Sequence, residues 1–141
     1  MSHKSAQIAT LIAGCQGQEL DAHYLGFFAC FNQGWFYEAH DVLEELWLEC
    51  RGGPDAAFYQ GLIQLAGAFV HLQKDRLGPA AALFALAARK LDGYPPMYHR
   101  LSLVQVQDLI TRWRGELSAT PGGDNPWRRL APPTLALATA A

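Results

Sequence analysis

Hydrophobic side chains recur at steps of three and four along most of this chain, the spacing that places them on one face of an α-helix. The first such run covers residues 18–33, and Gly34 can end it in a left-handed conformation. The second covers about residues 35–49. Its predicted apolar face comprises Phe36, Ala39, Leu43, Leu46 and Trp47.

The same spacing predicts three further helices. Residues 54–73 are apolar around nearly the whole circumference, which is typical of a helix buried on several sides. Residues 78–91 are rich in alanine, which favours helix and permits close packing. A fifth helix ends at about Leu117, after a capping pair formed by Ser102 and Gln105.

These segments predict an all-α fold, a single domain of about five helices arranged as a bundle or an irregular helical array. No run of alternating polar and apolar residues indicates a strand. We assign residues 18–117 to the helical domain and residues 1–17 to an N-terminal arm or short helix. Residues 118–141 contain several prolines and glycines, which predicts an extended tail, and their apolar residues indicate that this tail docks on a surface.

Length and charge narrow the class of protein. A chain of 141 residues fits one compact domain, and its net charge of -2 gives no basic footprint for nucleic acid or an anionic membrane. No apolar run is long enough to span a membrane. Three cysteines without a C-x-x-C pair, together with no apparent signal peptide, predict reduced thiols and a cytoplasmic protein.

An unusual density of aromatic and charged side chains extends from Phe31 to Trp47, in the pattern F-N-x-G-x-F-x-E-x-H-D-x-L-E-x-x-W. With Tyr59 to Ala66 in the third helix, this run resembles a prokaryotic family of small helical domains, domain of unknown function 309. The resemblance covers about residues 20–115. It implies an all-helical fold and a prokaryotic cytosolic protein, and it implies no activity.

Polar residues on the second and third predicted helices form the candidate site. His40 and Glu44 are i, i+4 neighbours on the flank of the second helix, so their side chains can meet. Gln64 and His71 belong to a narrow polar stripe on the third, which would face His40 if the two helices form an antiparallel hairpin. The candidate residues are Glu38, His40, Asp41, Glu44, Gln60, Gln64 and His71.

One interpretation of this set is structural. Buried polar groups require hydrogen-bond partners, so a closed Glu–His–Gln network between two helices would fix their register. The domain would then be a non-catalytic binding or scaffold module for a small molecule or protein that the sequence does not identify. Trp35, Phe36 and Tyr37 cannot all point inward, and this surplus of aromatics predicts a homo-oligomer.

The alternative is a metal-assisted or acid–base hydrolase centred on His40 and Glu44. A histidine and a carboxylate one turn apart can bind a divalent metal, although the glutamines of the next helix are poor ligands. Without a metal, His40 can act as a general base that Glu44 orients. The sequence leaves both chemistries open.

Overall fold

Five α-helices joined by short loops dominate the structure, a computed structural model that describes residues 20–119 and 124–139. Each helix packs against the next along the chain. None of the helices in these ranges is long and apolar enough to cross a membrane. The helices are α1 (Ala22–Phe31), α2 (Phe36–Glu49), α3 (Ala56–Gln73), α4 (Leu77–Leu91) and α5 (Leu103–Ala119).

The all-α prediction is therefore confirmed, and local chemistry explains where the helices begin and end. The Asp21 carboxylate caps α1 by accepting the backbone N–H of His23 at 2.7 Å. Gly34 follows α1 with a φ of +79°, the left-handed conformation expected after a helix. The arm predicted for residues 1–17 lies outside the described residues.

A small hairpin was missed by the sequence analysis. Strands β1 (Met97–Tyr98) and β2 (Leu101–Ser102) pair antiparallel, with Tyr98 opposite Leu101. His99 and Arg100 turn the chain between them, and both have positive φ, 45° and 62°. Two-residue hairpin turns favour this conformation because its twist matches that of the strands. Strands of two residues are too short to show an alternating pattern.

Aromatic rings fill the centre of the core, and Phe69 on α3 lies among them with no exposed surface. Its ring stacks on Phe36 of α2 at a centroid distance of 5.0 Å. The rings of Phe84 and Trp113 meet it edge-on, at 5.1 and 5.0 Å. Of the three consecutive aromatic residues at the start of α2, Trp35, Phe36 and Tyr37, the exposed one is Tyr37, with 46% of its surface accessible.

The segment after α5 docks on the helices through two asparagines. The Asn32 side chain donates to the Leu135 carbonyl at 2.8 Å and accepts the Leu135 N–H at 2.7 Å, as a strand backbone would. The buried Asn125 donates from Nδ2 to the Leu72 carbonyl at 2.7 Å. Leu135 is itself buried and belongs to the hydrophobic core.

Helices α3 and α4 approach closely at Gly61. A Cβ atom at this position would lie 2.8 Å from Leu91 Cγ and 3.2 Å from Lys90 Cβ, closer than packed carbon atoms tolerate. A side chain here would therefore push the two helices apart.

We expect Gly61→Ala to lower the free energy of unfolding by about 1–3 kcal/mol, because overpacking a close contact forces the backbone to shift. Gly115→Ala in α5 is the matched control, since its Cβ would meet nothing within 4 Å. Better helix propensity should make that variant about 0.5–1 kcal/mol more stable. Urea unfolding measures both changes, and stabilisation by both substitutions would contradict the close approach.

Candidate functional site

A groove between α2 and α3 brings most of the candidate residues together. It consists of two adjoining cavities of about 340 and 190 Å³, which share His40, Ile63 and Gln64 in their linings. We call the two cavities the α2–α3 groove. His71 lines the larger cavity, and Glu44 and Gln60 line the smaller one. The structure thus places the polar stripe of α3 beside His40.

Glu38 and Asp41, the other two candidates, do not line either cavity. Both are half-buried on α2, and Asp41 lies beside the imidazole of His40. Trp47, which we expected in the core, is half-buried and lines the smaller cavity.

His40 lies next to two carboxylates of its own helix. Its Nδ1 atom is 3.3 Å from Asp41 Oδ1 and 3.6 Å from Glu44 Oε2. One potential ligand atom from each of these three residues lies within 4.8 Å of the others. An imidazole and two carboxylates are a donor set suited to zinc or another divalent transition metal.

Two buried polar atoms in the groove lining lack partners. Neither Gln64 Oε1 nor His71 Nδ1 has a hydrogen-bond partner within the described residues. These two atoms therefore take no part in the closed Glu–His–Gln network that the sequence suggested. An unmet buried polar group costs about 1–3 kcal/mol, so each such atom in a folded protein calls for an explanation.

The charges along the groove are unevenly distributed. Glu44 lines the smaller cavity, whereas Lys74 and Arg76 line the larger one. Burial lowers the pKa of His71, and the nearby Arg76 and Lys74 lower it further. His71 is consequently a neutral imidazole at neutral pH, and its free Nδ1 can accept or donate according to the tautomer.

Residues 24–83 match the model of a family described as Domain of unknown function (DUF309). Over these 60 of its 141 residues the chain is similar to the DUF309 family. The match confirms the predicted resemblance and includes every residue that lines the α2–α3 groove. No curated protein matches the chain. The description of the DUF309 family names no activity.

The sequence analysis missed a second polar cluster. It connects residues within the family match to the β1–β2 hairpin, which lies outside that match. Asp55 in the α2–α3 loop accepts hydrogen bonds from the Tyr98 hydroxyl and from His99 Nε2, the latter at 2.9 Å. The Tyr24 hydroxyl donates to the His99 carbonyl at 2.9 Å. These residues are far apart in sequence, so no local pattern indicates their meeting.

Each carboxylate oxygen of Asp55 accepts a hydrogen bond, which distinguishes this cluster from the groove. Burial alone would raise the pKa of Asp55, but the hydrogen bonds from Tyr98 and His99 lower it overall. The same contact with Asp55 raises the pKa of Tyr98 to about 12. We infer that this cluster ties the α2–α3 loop to the hairpin.

We expect His40→Ala to change the free energy of unfolding by less than about 0.5 kcal/mol, because the exposed ion pairs of His40 contribute little. Asp55→Ala is the comparison, and it should cost about 1–3 kcal/mol by leaving Tyr98 and His99 without their acceptor. Thermal and urea unfolding test both. A loss of several kcal/mol on His40→Ala would show instead that His40 holds the two helices in register.

Proposed function

We propose that this helical domain is a non-catalytic binding module that takes a small molecule in the α2–α3 groove. The observation that carries the proposal is the pair of unpartnered buried atoms, Gln64 Oε1 and His71 Nδ1. A ligand that offers hydrogen bonds to both would remove the cost of leaving them unmet. The larger cavity, about 340 Å³, lies within the range of small-molecule sites.

The groove combines an apolar wall with a few polar groups, and this composition is usual for a small-molecule site. Ile63, Val70 and Leu83 supply the apolar surface of the larger cavity. Gly67 lies between Gln64 and His71 on α3, where a Cβ atom would come within 3.1 Å of Leu83 Cδ1. A side chain at this position would therefore press on Leu83, which lines the same cavity.

The groove lining favours binding over covalent catalysis. Neither cavity, within the described structure, is lined by a serine, threonine or cysteine that His40 or His71 could activate. His40 and Gln64 are held on rigid helices, which suits recognition in a preformed site.

We expect members of a neutral fragment library to perturb the backbone amide resonances of Gln64, Gly67 and His71 in ¹H–¹⁵N NMR spectra. Gln64→Leu keeps the size of the side chain but removes the acceptor, and it should weaken the binding of these fragments at least tenfold. Gln105→Leu, on exposed α5 surface, is the matched control. Fragments that bind the Gln64→Leu and wild-type proteins equally would contradict the proposal.

The cluster of His40, Asp41 and Glu44 favours a second candidate, a metal-assisted hydrolase. These residues would hold a divalent cation by one imidazole nitrogen and two carboxylate oxygens. Such a cation supplies Lewis acidity and lowers the pKa of a bound water. All three ligands come from one turn of α2, so the remaining coordination positions would be open to solvent or substrate.

Isothermal titration of the untagged protein with Zn²⁺ and Mn²⁺ tests this candidate. We expect one-to-one binding that Glu44→Gln weakens at least tenfold, because the amide is a poorer ligand than the carboxylate. Glu45→Gln is the control, since Glu45 points away to pair with His23 at 2.9 Å. Equal zinc affinity in both variants, or no hydrolysis of a simple aryl ester by the metal-loaded protein, would count against a hydrolase.

A further inference from the structure

We propose that the larger cavity of the α2–α3 groove binds the carboxylate or phosphate group of a small organic acid, at the end formed by His71, Lys74 and Arg76. This inference rests on the proposed function of the groove as a small-molecule site, and it names the ligand class.

The first argument is an excess of positive charge at one end of the cavity. Lys74 and Arg76 both line it, and no aspartate or glutamate does so in the part of the chain that the structure describes. The ammonium group of Lys74 lies 5.6 Å from the centre of the Tyr37 ring, on α2. That contact holds the cation at the wall of the groove without neutralising its charge.

Asp75 is the residue expected to neutralise this end, because it lies between the two cations in sequence. Its backbone instead takes the left-handed conformation, with a φ of +60°. Its carboxylate is engaged elsewhere, accepting from Asn125 Nδ2 at 3.1 Å and pairing with Arg128 at 3.3 Å. The docked C-terminal segment thus binds the carboxylate that is adjacent to both cations in sequence, and Lys74 and Arg76 remain for another anion.

His71 completes the anion end of the groove. Its imidazole lines the same cavity as both cations, and its buried Nδ1 atom has no partner among the described residues. In the tautomer that carries a proton on Nδ1, this atom donates a hydrogen bond to an anionic oxygen. An anion beside Lys74 and Arg76 would also offset the repulsion that these cations exert on a protonated His71.

The length and chemistry of the ligand follow from the spacing on α3. Gln64 and His71 are seven residues apart on one helix, which separates them by about 10 Å along its axis. Gln64 Oε1 is an acceptor, so it needs a donor such as a hydroxyl group on the ligand. Ile63, Val70 and Leu83 line the space and suit an apolar linker. A short aliphatic chain with an anion at one end and a hydroxyl at the other meets these requirements.

The test compares three probes of similar length: 6-hydroxyhexanoate, 6-hydroxyhexyl phosphate and the neutral 6-hydroxyhexanamide. Binding is measured by ¹H–¹⁵N NMR titration of the full chain at low salt. We expect at least one of the anions to bind at least tenfold more tightly than the amide and to shift the resonances of His71 and Gly67. The tighter of the two anions distinguishes a carboxylate from a phosphate ligand.

Two variants test the assigned residues. Lys74→Gln combined with Arg76→Gln should abolish the preference for anions, whereas Arg89→Gln, an exposed cation on α4 outside the groove lining, should keep it. Equal binding of the amide and both anions to the wild-type protein, or a preference that survives the double substitution, overturns the inference. If neutral fragments bind in the groove but neither anion does, this inference is overturned and the proposed function stands. If no probe and no fragment shifts any resonance of the groove residues, the proposed function is overturned as well.

Discussion

The packing of aromatic rings on Phe69 is the constraint that holds the helices in place. Its ring is in contact with rings from each of the other four helices in the described residues: Phe31 of α1, Phe36 of α2, Phe84 of α4 and Trp113 of α5. Each residue turns an α-helix by about 100°, so positions 69 and 71 point to nearly opposite sides of α3. The Phe36–Phe69 stack therefore fixes the distance between α2 and α3 from the core side, and the groove cannot close around His71 without breaking that stack.

The sequence was sufficient to predict the helices because each one presents a long periodic apolar face to the core. It also predicted that His40 and Gln64 would share one seam if the second and third helices formed an antiparallel hairpin. It could not show that Gln64 and His71 lack partners, because hydrogen bonding depends on side-chain positions to within less than an ångström. The contact of Asp55 with His99 was equally hidden, since the two residues are 44 positions apart and belong to a loop and a turn.

The groove joins two environments of opposite charge along one face of α3. Glu44 lines the smaller cavity together with His40, and Lys74 and Arg76 line the larger one together with His71. Between them the walls are apolar and contain Ile63, which is buried. Charges that face each other across a low-dielectric space attract or repel more strongly than the same charges in water. An elongated ligand would therefore be oriented by the groove as well as held in it.

The paired hydrogen bonds between Asn32 and Leu135 have a consequence for the order of folding. The five helices pack mainly on their neighbours in sequence, so the core assembles through short loop closures, whereas this contact joins residues 103 positions apart. The entropic cost of closing a loop rises with the logarithm of its length, so this contact costs more chain entropy than the contacts between neighbouring helices. We therefore expect the C-terminal segment to dock last and to open first, as a local unit of unfolding separate from the helices. Because Asn125 belongs to the same segment, each opening also releases Asp75 next to the groove.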